Sequence, residues 1–437
     1  MTAHPFIARL QAADLVGRVG RVQRILPTYI EADGPNVPLG ALCRIEVSNG
    51  APVLAEVAGV NPGSVILVPL EDEVRAFAGA VVEACRDADL APVGDALLGR
   101  AVDSLGRPID NKGAIRGGHS APLTRVTTAA LDRAAPKQVF ETGIRAIDGF
   151  LTLGRGQRVG IFAASGVGKT SLMTQLARQA QADRCVICLV GERGREVEAL
   201  WSEALSEEAR QKTVLVAATS DQAAALRVRA GDYALALAEH WRAQGHHVLL
   251  LLDSVTRLAM AMRETGLAAG EPPTLRAYTP GVFAAIPKLV ERCGALKSGG
   301  AITGIMTVLS ETDDIDDPIS EMLKSLLDGH ILLSRPLAER GHFPAIDVPR
   351  SISRMARDLA IGRHREDAQS GVALLSTYET SRTLIESGVY VAGANADIDR
   401  AIERRPALMR YLRQSSLEQA PWSATTGVLK AVIEGHA

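Results

Sequence analysis

The pattern of apolar and polar positions divides the chain into three stretches. From about residue 15 to residue 85, short apolar runs recur: Val16–Ile25, Ala41–Val47, Val53–Val60 and Ser64–Pro69. Between them stand Gly34-Pro35, Asn49-Gly50-Ala51-Pro52 and Asn61-Pro62-Gly63. Regularly spaced short strands with such punctuation predict a small β-barrel. Ahead of it, Phe6, Leu10 and Ala13 share one face of a brief helical pattern, which reads either as a partner-binding helix or as a frayed terminus.

A turn-rich passage, Gly94–Ile115, reads as a linker into the next unit. From there to about residue 355, apolar runs alternate with helical patterns, and strands are expected at Gln157–Ala163, Cys185–Gly191, Val214–Ala218, His247–Leu252 and Ala301–Leu309. That alternation predicts an α/β core, a mostly parallel sheet flanked by helices. Beyond about residue 360 the period becomes helical, with Val372, Leu374, Leu375, Ile398, Ala401, Leu408 and Leu412 on the apolar faces. The expected division is residues 1–90 for a β-barrel domain, 91–355 for the α/β core and 356–437 for a C-terminal α-helical domain.

The first core strand runs into Ala163-Ala164-Ser165-Gly166-Val167-Gly168-Lys169-Thr170-Ser171, and a helical pattern follows. Strand, small-residue loop and helix start form a cradle whose backbone N–H groups and helix dipole suit the oxygens of a triphosphate. Lys169 is placed to reach the β- and γ-phosphates of ATP, and the Thr170 hydroxyl to ligate Mg²⁺. Ala163 stands where the G-x-x-x-x-G-K-[ST] pattern has its first glycine; alanine serves there if φ stays negative. The bland alternative is a Gly-Lys-Thr turn without a ligand.

Ligands in such sheets bind at the carboxyl ends of the strands, and three further groups fall there or beyond. Glu192 and Arg193 follow the second strand: a carboxylate at that edge suits orienting an attacking water, with Arg193 beside the same charge, although surface pairs are more often caps or salt bridges. Asp253 ends the run Val248-Leu249-Leu250-Leu251-Leu252, the form of an aspartate on the metal side of a phosphate loop. Farther on, Phe343-Pro344 offers an aromatic and a rigid turn. Arg354, after Ser351-Ile352-Ser353, suits either transition-state charge across a subunit boundary or an ordinary carboxylate partner. His246 and His247 precede the Asp253 strand and read as loop residues, away from any phosphate.

Composition narrows the class. The 437 residues are 47% hydrophobic and 22% charged with a net charge of −2, values of a folded soluble protein too long for one core. No basic tail or stripe marks a nucleic-acid surface, no run of 18 apolar residues spans a bilayer, and the N-terminus lacks the form of a signal peptide, so a cytoplasmic location is expected. The five cysteines are scattered. Cys185 and Cys188 have C-x-x-C spacing but lie in a buried-strand run, where residues three apart face opposite ways, so they are expected to be structural.

Several segments together resemble the rotary ATPase superfamily, with closest likeness to the ATPases of flagellar and virulence type III protein export: Glu141-Thr142-Gly143-Ile144-Arg145-Ala146-Ile147-Asp148, Gly191-Glu192-Arg193-Gly194-Arg195-Glu196, Leu251-Leu252-Asp253-Ser254-Val255-Thr256-Arg257 and Pro344-Ala345-Ile346-Asp347-Val348-Pro349-Arg350-Ser351-Ile352-Ser353. The resemblance implies a RecA-like core between barrel and helical domain, and a homohexameric ring with Mg²⁺–ATP between neighbours. It implies Lys169 and Thr170 as the phosphate-loop pair, Glu192 as catalytic carboxylate with Arg193 its neighbour, Asp253 on the metal, Arg354 as a finger into the adjoining site and Phe343 against adenine. Implied partners are a regulatory protein at the N-terminus, a coiled-coil stalk in the pore, the export gate at the inner membrane, and export substrates with their chaperones, with no nucleic acid. Rival readings are the catalytic subunit of a proton-driven ATP synthase, a ring helicase acting on RNA, and a degenerate subunit that only scaffolds a ring.

Overall fold

A computed structural model describes residues 17–71, 75–85, 90–123, 128–309 and 317–436; the helical pattern around Phe6 and Leu10 lies outside them. Six short strands close a barrel in the order β1-β2-β5-β4-β3-β6: β1 Val19–Ile25, β2 Ile30–Ala32, β3 Leu42–Ile45, β4 Val53–Asn61, β5 Ser64–Pro69 and β6 Val81–Ala84. Alternate residues point inward, as a two-residue period requires: Val53, Ala55 and Val57 on β4 are buried, the last two among Val22, Ile30, Ile45, Leu67 and Val82. On the outside, Leu42, Val68 and Leu70 pack on Ala225 of the core.

The core sheet contains β7 Ala101–Val102, β8 Arg158–Ala163, β9 Arg184–Val190, β10 Thr213–Ala218, β11 His247–Asp253, β12 Ala301–Leu309, β13 Gly329–Leu332 and β14 Ile352–Ser353. Their order is β14-β13-β8-β12-β11-β9-β10-β7, parallel throughout except for antiparallel β14. Both faces are covered, so the strands read as continuous apolar runs rather than alternating ones. On β9, Cys185, Ile187 and Leu189 face one buried cluster, while Val186, Cys188 and Val190 face the other. The two cysteines therefore sit on opposite faces, and burial pushes the Cys185 thiol up to about 12.

Helices α1 Lys169–Gln179, α2 Ala224–Ala243, α3 Val255–Ala268, α4 Pro280–Glu291 and α5 Pro318–Leu326 belong to the core. Then come α6 Arg363–Glu386, α7 Ala396–Leu412 and α8 Trp422–Glu434. Leu374, Leu408, Tyr411 and Leu429 of these last helices join the cluster that holds Leu172 and Leu176 of α1, so the helical domain lies on the phosphate-loop helix's side of the sheet.

Two expectations change. Gly94–Ile115 is not a loose linker: Ala101–Val102 forms the sheet's edge strand, Leu97 and Val102 are buried, and the Trp241 indole N–H donates to Asp95 Oδ1 at 2.8 Å. His247 is the buried first residue of β11, with Nε2 2.7 Å from Thr303 Oγ1. It does lie at the end of the strand remote from Asp253.

Candidate active site

Strand β8 ends at Ala163, residues 164–168 turn, and α1 starts at Lys169. Gly166 and Gly168 have φ of 80° and 91°, the left-handed region that side chains resist. Neither Ala163 nor Ala164 has positive φ, so alanine fits where the motif has glycine. No side chain caps the start of α1, which leaves its first N–H groups for an anion. Thr170 and Ser171 are exposed on that first turn, and Ser165 and Gly166 are exposed in the loop.

Lys169 points across the sheet's carboxyl edge. Its ammonium contacts the Asp253 carboxylate and lies 3.2 Å from Glu192 Oε1. Both carboxylates are buried, and both stand at strand ends, Asp253 closing β11 and Glu192 two residues beyond β9. Thr307 on β12 donates from Oγ1 to Asp253 Oδ1 at 2.6 Å. The Lys169 contact also falls on Oδ1, so both of these donors use the same carboxylate oxygen. Mg²⁺ beside a nucleotide usually takes one or two protein oxygens plus phosphate and water. The exposed Thr170 hydroxyl and Asp253 Oδ2 are a donor set of that kind.

Sequence reasoning missed one cation. Arg257, in the first turn of α3, places Nη2 3.3 Å from Glu192 Oε2 and donates from Nη1 to the Gly191 carbonyl. Ser254 caps that helix, its hydroxyl accepting from the Arg257 N–H, so the turn that presents Arg257 begins one residue after Asp253. Arg193, expected beside Glu192, is instead exposed at the N-cap of Gly194–Glu198; Arg257 takes its place on the carboxylate.

Phe343 lies on the far side of the loop. A Cβ on Gly168 would stand 3.2 Å from its ring, so the aromatic packs on the turn while remaining 43% exposed. Its carbonyl accepts from the Gln414 N–H at 2.9 Å, a tie from the helical domain to the site. Arg354 is elsewhere. Its N–H donates to the Asp328 carbonyl, and Asp328 sits at the foot of β8 beside Arg158. Five residue steps of strand, about 17 Å, separate that foot from Ala163, and the Arg354 side chain is exposed.

A parallel sheet carrying a phosphate loop, with a lysine between two strand-end carboxylates, defines a nucleotide-hydrolysing class of protein. Residues 143–353 match the ATP synthase alpha/beta family, nucleotide-binding domain, and residues 362–431 match the T3SS EscN ATPase C-terminal domain. The chain is 41% identical to the flagellum-specific ATP synthase of Bacillus subtilis, over 96% of each chain. It is 44% identical to the SPI-2 type 3 secretion system ATPase of Salmonella typhimurium, over 92% of each. The assembled ATPase EscN of the enteropathogenic E. coli type III secretion system superposes with a TM-score of 0.90 at 40% identity, covering 95% of this chain and 100% of that one. The same EscN in complex with its central stalk EscO gives 0.87 at 39% identity, with 95% and 100% covered. The chain belongs to the ATP synthase alpha/beta family, in the branch of flagellum-specific and type III secretion ATPases, and it is an ATPase.

Proposed function

We propose that this ATPase is the motor subunit of a flagellar-type protein export apparatus, acting as a homohexameric ring with Mg²⁺–ATP held at each seam between subunits. The placement of Arg354 carries the seam reading: it is exposed and a strand's length from its own phosphate loop, so a neighbour's site is the one it can serve. In this reading Lys169 and the loop N–H groups bind the triphosphate, Phe343 lies against the base, and Glu192, steadied by Arg257, orients the attacking water. Arg354 of the adjoining subunit meets the charge that develops on the transferring phosphoryl group, a contact worth about 10³–10⁵ in rate in related enzymes. Mg²⁺, held by Thr170 and Asp253, would supply charge neutralisation at the phosphates.

Among the described residues no helix is long and apolar enough to cross a membrane, which fits a subunit that docks peripherally on the inner-membrane export gate from the cytoplasm. The EscN–EscO complex supports a coiled-coil stalk in the pore as partner. A regulatory protein at the N-terminus, and export substrates with chaperones, complete the proposed set. Phosphate release from ATP by the assembled protein, with and without chelated Mg²⁺, tests the chemistry. Deleting the gene tests the system: loss of filament assembly supports flagellar export, and intact filaments with lost effector secretion would assign it to virulence export.

A further inference from the structure

We propose that Asp328 and Arg158 are positioning residues for Arg354, fixing the finger's backbone at the foot of the strand whose other end carries the phosphate loop. The inference rests on the reading of Arg354 as serving the adjoining subunit's site. The Arg354 N–H donates to the Asp328 carbonyl at 2.9 Å. The Asp328 carboxylate is in turn gripped by three donors of Arg158: the backbone N–H and Nε on Oδ2, both at 3.0 Å, and Nη2 on Oδ1 at 3.1 Å. A forked guanidinium–carboxylate pair of this kind fixes direction as well as distance. Gln157 adds a second brace, donating from Nε2 to Ser353 Oγ at 3.0 Å and to the Asp328 carbonyl at 3.4 Å.

The backbone approach is correspondingly tight. A Cβ on Gly329 would stand 2.5 Å from the Ile352 carbonyl, so glycine is required for β14 to lie this close to β13. The Arg158 guanidinium is anchored from behind by Glu291, which also takes Arg133. Against this fixed base the Arg354 head is exposed, with Nη2 at 3.4 Å from the Lys324 carbonyl at the end of α5. The main chain of the finger is held while its guanidinium can extend away from the subunit. Because displacement of a catalytic group by about 1 Å costs on the order of 10² in rate, loosening the clamp should weaken catalysis in the adjoining site without touching the residues that bind ATP.

Asp328→Ala is expected to lower kcat by about 10–100-fold, with KM for ATP within a few-fold of wild type. The deciding experiment mixes subunits. Asp328→Ala has an intact phosphate site and a misplaced finger, whereas Glu192→Gln has a dead site and an intact finger. Each alone should be nearly inactive, and co-assembly at equal amounts should recover hydrolysis at about a quarter of the seams, those pairing one of each in the right order. Arg354→Ala mixed with Glu192→Gln is the control for the seam itself. Recovery in the control but not with Asp328→Ala overturns the clamp and leaves the seam standing; no recovery in either overturns both. Should Asp328→Ala fail to assemble, Asp328→Asn and Arg158→Lys carry the same mixing test. A raised KM with unchanged kcat in these variants would also overturn the proposal.

Discussion

Lys169 stands 3.2 Å from Glu192 while also contacting Asp253, so one ammonium is shared by both carboxylates of the site. In the proposed function an incoming triphosphate would compete with them for that cation. Under the proposed function, Lys169 turning to the phosphates would release Asp253 for a metal ion and leave Glu192 with Arg257 as its charged partner. Lys169→Ala should therefore weaken triphosphate binding by tenfold or more. It should also destabilise the ligand-free protein by about 3 kcal/mol, since the buried Asp253 carboxylate is left without its charged partner. Adding Asp253→Asn should restore much of the stability and none of the binding. Nucleotide titration and chemical denaturation read the two effects, and a Lys169→Ala protein that binds ATP normally would remove the lysine from the site.

Glu192→Gln keeps the side chain's shape and removes the carboxylate to which the proposed function gives the orienting of water. ATP binding should persist and turnover should vanish. Normal phosphate release from this variant would rule out the assigned role.

Arg257 holds Glu192 from the side opposite Lys169, and its other nitrogen rests on the Gly191 carbonyl. Arg257→Ala is expected to cost about 10–100-fold in kcat with little change in KM, the pattern of a misaligned catalytic group. Lysine at this position cannot make both contacts from a planar fork, so Arg257→Lys should recover little. A change confined to KM would place Arg257 in substrate binding instead.

At the opposite end of the same sheet, burial, with the Arg155 charge nearby, pushes the His247 imidazole down to about 4, against a partial upward pull from Asp183. The unfolded chain protonates this residue near its ordinary 6.5, so between about 6.5 and about 4 the unfolded state binds more protons. Stability must then fall as pH drops through that window, by at most about 3 kcal/mol. His247→Gln retains a hydrogen-bonding group toward Thr303 and loses the titration; its stability should fall less between pH 7 and pH 5. Equal slopes for the two proteins would show that His247 contributes nothing to the acid limb.

The parts of this site that lie within one local segment were legible in the sequence. The phosphate loop announces itself by its glycines and Lys169, and Asp253 by ending a run of four leucines. Arg257 and Thr307 were not, because their roles arise only when α3 and β12 are packed beside the ends of β9 and β11. Thr307 left a faint trace, one of two hydroxyls, with Thr303, in a largely apolar strand run. In the fold, Ile30–Ala32 and Val81–Ala84 are too short to stand out from their turns, yet the barrel closes through them. Ala101–Val102 has two residues, and only its pairing with Leu215 and Val216 reveals it as the sheet edge. Arg193 and Glu192 are adjacent in sequence, but Arg193 is the extended N-cap of a helix that starts at Gly194, and it is exposed while Glu192 is buried.

The seam between subunits is tested most directly by phosphate release per subunit measured across protein concentration. With Arg354 supplied by a neighbour, specific activity should rise steeply as the protein assembles, and Arg354→Ala should remain low at every concentration. A specific activity that stays constant from dilute to assembled protein would contradict a site completed by two copies of this chain.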